Sequence, residues 1–176
     1  MGLVIISGKS GSGKNTIANM LIDQGYERVV SYTTRRARET ETDGVDYNFI
    51  SNAEFENLIA ENKLKEWIYF DGAYYGSPNI DISKKWVAIL DPKGVKDWKD
   101  TYGSEVIAIW LSASQRTLAH RMSIRARNYF EVKQMNSRLE KDDEFFGQDR
   151  SSFDCIIDAN VGIQEVFTKV TEALQK

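Results

Sequence analysis

Nine consecutive residues, Gly8-Lys9-Ser10-Gly11-Ser12-Gly13-Lys14-Asn15-Thr16, have the types and the spacing to hold a phosphate group. Glycines let successive backbone N–H groups curl around an anion, a helix start adds its dipole, and Lys14 brings a mobile cation to the outer phosphates. The spacing is G-x-x-x-x-G-K, but Asn15 stands where a Ser or Thr normally follows the lysine, and Thr16 comes one place late. Gly8, Ser10, Gly11, Ser12, Gly13, Lys14, Asn15 and Thr16 are the expected phosphate contacts. Glycine-serine clusters are commonly plain turns. This one lies between an apolar run (Leu3 to Ile6) and a helix-like run (Ile17 to Gln24) and carries its lysine. The dinucleotide pattern G-x-G-x-x-G fails, because Thr16 occupies the third glycine position and no acidic residue closes the stretch Ser31-Tyr32-Thr33. A nucleoside triphosphate is the preferred ligand.

Other chemistry-bearing residues are spread along the chain. Arg35, Arg36 and Arg38 follow an apolar stretch and read as a second anion site, the alternative being a solvated basic face. Asp91 ends the apolar run from Trp86, where a parallel sheet binds its ligands. Arg121, Arg125, Arg127 and Arg138 fall in and before a long amphipathic segment, Glu131 to Phe146. His120, the single histidine, reads as a helix surface residue, and Cys155, the single cysteine, as a buried structural thiol.

These residues need strands and helices to hold them. Leu3 to Ile6 reads as the buried first strand of a parallel sheet rather than part of a signal peptide. Ile17, Met20 and Leu21 mark a helical face, with Gly25 just past its end. Val29 to Thr33 reads as a second strand, and Val45 to Ile50 as an exposed one containing Tyr47. Ser51 and Glu54 form a capping box, and Asp71-Gly72 is a two-residue hairpin turn. Trp86 to Asp91, Val106 to Leu111 and Phe153 to Ile157 complete the strands; Ser114 caps one helix, and Ile163 to Leu174 makes the last. Strand and helix alternate almost throughout, which predicts an α/β fold with a parallel sheet and a small sheet of its own for the middle third.

The chain has 176 residues, enough for one domain with a real core. Twenty-three Lys and Arg against 26 Asp and Glu give a net charge of −3, which argues against nucleic acid or an acidic membrane as partner. A lone cysteine fits a reducing, cytoplasmic setting. No apolar stretch approaches membrane-spanning length.

Over nearly its whole length the sequence resembles guanylate kinase. The loop G-P-S-G-x-G-K-S-T is matched by Gly8 to Thr16, S-x-T-T-R-x-P-R by Ser31 to Arg38, and G-x-D-Y-x-F by Gly44 to Phe49. Glu66-Trp67 and Tyr74 to Ser77 match E-W and Y-Y-G-S, in the same order. The resemblance implies a phosphate-loop α/β fold with a small inserted mixed or antiparallel sheet and a helical lid. It divides the one domain, 1–176, into a core of about 1–31, 86–120 and 150–176, a monophosphate-binding insertion of about 32–80 and a lid of about 121–145. It implies transfer of the γ-phosphoryl of ATP, with Mg²⁺, to GMP, dGMP being left open. Lys14, Arg35, Arg121, Arg125 and Arg138 are the implied catalytic residues. Arg35, Arg38, Tyr47 and Tyr75 are implied to hold the acceptor phosphate; Ser31, Glu66 and Ser77 to read guanine; Asp91 to lie near the acceptor and the metal, with Thr16 or Asn15 as further metal contacts. A monomer and a homodimer are both compatible with it. A broader (deoxy)nucleoside monophosphate kinase and a non-catalytic guanylate-kinase-like interaction module are the alternatives. The chain departs from the family pattern at Asn15, Ala37, Thr40, Ile89 and Asp158, mostly on the donor and metal side.

Overall fold

The computed structural model describes residues 2–39, 41–125, 141–142, 145–147 and 149–175. In chain order the strands are β1 (Leu3–Ser7), β2 (Glu27–Arg28), β3 (Tyr32–Thr33), β4 (Asn48–Phe49), β5 (Leu64–Phe70), β6 (Ala73–Pro78), β7 (Trp86–Ile89), β8 (Val106–Ser112) and β9 (Cys155–Asp158). Among the described residues the longer helices are α1 (Lys14–Ile22), α2 (Asn52–Ala60), α3 (Pro92–Tyr102), α4 (Gln115–Arg125) and α5 (Ile163–Ala173).

A five-stranded sheet runs β2-β7-β1-β8-β9, every pair parallel, with β1 at its centre. All five residues of β1 are buried because helices cover both faces. The period-two alternation sends Val4 and Ile6 toward Ile17 and Leu21 of α1 and Val166 and Val170 of α5. Leu3 and Ile5 pack on the other face against Val95 and Trp98 of α3. Among the described residues no helix is long and apolar enough to cross a membrane.

A second, four-stranded sheet runs β4-β3-β6-β5 and is mixed: β3 pairs parallel with β4, while β6 is antiparallel to both β3 and β5. The β5–β6 hairpin turns at Asp71-Gly72, both with positive φ (49° and 80°), as a two-residue turn requires. Ser51 caps α2 in a complete capping box with Glu54.

Three expectations change. The stretch from Val29 to Thr33 is not one strand. Val29 still donates to Val87 in the large sheet (2.9 Å), and by Tyr32–Thr33 the chain pairs with the small one, so Ser31 lies at the crossing. Between Val45 and Ile50 only Asn48–Phe49 is strand. Asp46 accepts from the Thr42 amide and Asp43 from that of Phe49, both at 2.9 Å, so local side-chain bonds replace the ladder. Cys155 is half-buried, because β9 is a sheet edge.

Candidate functional site

The loop after β1 turns sharply. Gly8 has φ 144°, and a β-carbon there would come within 2.7 Å of the Leu111 carbonyl oxygen. Gly13, with φ 99°, precedes α1, and among the described residues no side chain caps that helix end. The Lys14 ammonium reaches back to donate to the carbonyls of Gly8 (2.6 Å) and Lys9 (3.0 Å), lying along the loop it serves. Asn15 and Thr16 are exposed on the first turn. The Ser10 amide donates to Oδ2 of Asp142 at 2.6 Å, a residue only 1% exposed.

The second cluster follows from strand alternation. Glu66, Ile68 and Phe70 share one face of β5, while Tyr75 and Ser77 share the matching face of β6, with Glu66 opposite Ser77 and Ile68 opposite Tyr75. Tyr74 points the other way and stacks on Phe55 (centroids 5.0 Å apart), so of the adjacent tyrosines one packs the sheet and one faces inward. The Ser31 and Ser77 hydroxyls are 3.1 Å apart and buried.

Glu66, 8% exposed, has its carboxyl pushed up to about 7 by burial, with the Asp91 charge adding and a Ser77 hydrogen bond opposing. Asp91 caps α3, one oxygen accepting the amides of Lys93 (2.8 Å) and Gly94 (3.1 Å). Burial raises its carboxyl too, against those amides.

The arginines form a third group. Arg35 makes a two-pronged pair with Glu41 (2.6 and 2.7 Å), whose Oε2 also accepts the Arg38 amide at 2.8 Å. Burial opposes both charges, but their mutual contacts prevail, holding Arg35 above and Glu41 below their ordinary values. The guanidinium carbon of Arg35 lies 5.1 Å from the centroid of Tyr47, whose ring meets Tyr75 edge-on at 6.2 Å. Burial, ahead of the opposing Arg35 charge, raises the Tyr47 phenol.

One cavity joins these parts. It is open to solvent, and its walls include Gly8 and Lys14 on one side and Ser31, Glu66, Tyr75 and Ser77 on the other. Tyr47, Asp91 and Asp142 also line it.

The guanylate kinase family model matches residues 1–176. The chain belongs to the guanylate kinase family. The guanylate kinase of Chlorobaculum tepidum is 34% identical, the match covering 98% of this chain and 93% of that protein. The guanylate kinase of Chlamydia trachomatis serovar D is 35% identical over 78% of this chain and 70% of its own. The crystal structure of guanylate kinase from Anaplasma phagocytophilum superposes with a TM-score of 0.69 at 22% identity, over 98% of this chain and 84% of that one, which supports the fold.

Against the motifs of the guanylate kinase family, Ser31, Tyr47, Glu66, Tyr75, Ser77 and Asp91 come together in the cavity with Gly8, Ser10 and Lys14. Arg35 stands behind Tyr47, and Arg38, its side chain 57% exposed, stands further out. Arg121 on α4 donates to the Val161 carbonyl (3.2 Å) and is not among the cavity-lining residues. The Arg125 side chain, Arg127, Arg138 and most of the expected lid lie outside the described residues. Asn15, Thr16 and Asp91 offer the oxygen donors a hard cation prefers, and of these Asp91 lines the cavity.

Two residues escaped the sequence reading. Glu41 was signalled only by its charge three places after Arg38. Asp142 gave no local signal, because its partner Ser10 is 132 positions away.

Proposed function

We propose that this guanylate kinase family member transfers the γ-phosphoryl group of ATP to GMP, giving ADP and GDP. The observation that carries the reading is the shared cavity, in which a phosphate-loop lysine faces a buried carboxylate flanked by two hydroxyls. Guanine presents two neighbouring donors, N1–H and the exocyclic amine, beside the acceptor O6. Glu66 as a carboxylate accepts the donors, and the Ser31 and Ser77 hydroxyls turn to match what remains. Adenine would set its N1 acceptor against that carboxylate, leaving a buried charge poorly paired unless Glu66 takes up a proton.

Phosphoryl transfer is catalysed mainly by positioning and by neutralising charge on the moving group. Lys14 supplies the cation on the donor side, and Arg35 and Arg38, with the Tyr47 and Tyr75 hydroxyls, hold the acceptor phosphate. Mg²⁺, bound with ATP, would be held by Asp91 with Thr16 or Asn15 and would draw negative charge from the phosphate oxygens. dGMP differs from GMP only at the ribose 2′-hydroxyl and is left open as a second acceptor.

The test is ADP release from ATP and Mg²⁺ with GMP, dGMP, AMP, CMP or UMP as acceptor. Turnover with GMP and little with AMP, CMP or UMP is expected, and the rate with dGMP decides whether the 2′-hydroxyl is read. Equal rates with all five would replace the reading with a broad monophosphate kinase; no turnover with any would leave a binding module.

A further inference from the structure

A guanidinium has five N–H bonds, and most of those of Arg35 can be accounted for. Nη1 donates to Oε2 of Glu41 at 2.6 Å and to the Arg36 carbonyl at 2.9 Å. Nη2 donates to Oε1 of Glu41 at 2.7 Å. That leaves the Nε–H and the outer N–H of Nη2. The Nε atom is buried and, among the described residues, has no partner. These two bonds lie parallel along one edge of the planar group, the fork that matches two oxygens of a phosphate. Tyr47 and Phe49 flank the guanidinium at 5.1 and 5.4 Å, and Tyr47 lines the cavity.

We infer that Glu41 is the positioning residue of the acceptor-phosphate site: it occupies the far end of the Arg35 guanidinium and so presents the Nε/Nη2 edge to the phosphate. The inference rests on the reading of Arg35 as a ligand of that phosphate. Two features show how firmly Glu41 is set. Its side chain is 8% exposed, against 15% for Arg35, and the Arg38 amide donates to the same oxygen that Nη1 uses. One carboxylate therefore fixes both the guanidinium and the loop backbone three residues before it.

Electrostatics alone gives the opposite forecast. A carboxylate beside an anion site repels the anion, so removing its charge should tighten phosphate binding. Positioning says that Glu41→Gln loosens it, because an amide nitrogen cannot accept from an arginine and the fork is released to turn.

The measurement is the ratio of GMP to guanosine affinity, by calorimetric titration of the full chain. Guanosine keeps the base contacts and lacks the phosphate, so the ratio isolates the anion site. Glu41→Gln should lower it about tenfold or more, the scale of a charged hydrogen bond, with guanosine affinity unchanged. Glu41→Asp, which keeps the charge but is one methylene shorter, should also lower it. A ratio that is unchanged or higher in Glu41→Gln overturns the inference, as does equal loss of both affinities, which would mark a purely structural residue. Should the acceptor assay select another base, the ratio for that nucleotide and its nucleoside serves instead, so Glu41 can stand while the choice of GMP falls. A wild-type ratio near one would overturn both.

Discussion

A carboxylate that is to recognise a base by accepting two N–H bonds gains most if it has left water before the base arrives, and Glu66 carries the consequence. Burial between β5 and α3, with the Asp91 charge adding, pushes its carboxyl up to about 7. Near that pH about half of the empty sites hold a proton, and a protonated acid meets the guanine donors with a donor of its own. On the proposed reading, binding therefore selects the carboxylate and expels the proton. Guanosine affinity should rise as pH increases through 7 and level off above it, the value at pH 6 being about tenfold below the plateau. Guanosine is the right probe because its lack of a phosphate removes a second group titrating near pH 6. Titrations in two buffers of different ionisation enthalpy should report the released proton. A flat profile from pH 6 to 8 would take Glu66 out of base recognition.

At the scale of elements, whatever was encoded locally was legible in the sequence. The glycine loop between a buried strand and a helix, the Ser51–Glu54 capping box and the Asp71-Gly72 hairpin each depend on a few neighbouring residues, and each forms as expected. Strand alternation then brings Glu66, Tyr75 and Ser77 to one face. What depended on distant partners was hidden. The Val29–Thr33 stretch divides between two sheets because β7 and β6 compete for it, and no local pattern marks the crossing at Ser31. Asp142 is the sharper case. It reaches the phosphate loop while Lys141 pairs with Asp71 and Phe145 packs on Phe70 (4.2 Å), so one short stretch touches both the loop and the hairpin. The Ser10 amide that Asp142 accepts belongs to the loop that would hold a triphosphate, so the carboxylate competes with the ligand for a donor and adds a repelling charge. Asp142→Ala is expected to bind a non-hydrolysable ATP analogue about tenfold more tightly. Equal or weaker binding in a direct titration would show that the aspartate helps the nucleotide rather than opposing it.

Across the whole molecule, the two sheets and the loop after β1 line an open cavity, and the chain holds ionisable groups there that a well-packed core would exclude. This has a cost that depends on pH. A carboxyl whose value rises from 4.5 unfolded to about 7 folded leaves stability intact below 4.5 and removes it as pH climbs through 7, because the folded state then binds more protons than the unfolded one. The full shift corresponds to roughly 3 kcal/mol, most of it lost between pH 5 and 8. For a chain of this size that is a fall in melting temperature of about 5–10 °C. Other groups titrate over the same range, so Glu66 is isolated by difference. The Glu66→Gln variant keeps the side-chain shape, carries no charge to desolvate, and should melt above wild type at pH 8 by about that amount, with the gap closing toward pH 5. The same variant should lose base selectivity, as expected where a site is held at the expense of stability. Parallel melting curves for the two proteins at both pH values would refute this account of how the cavity is maintained.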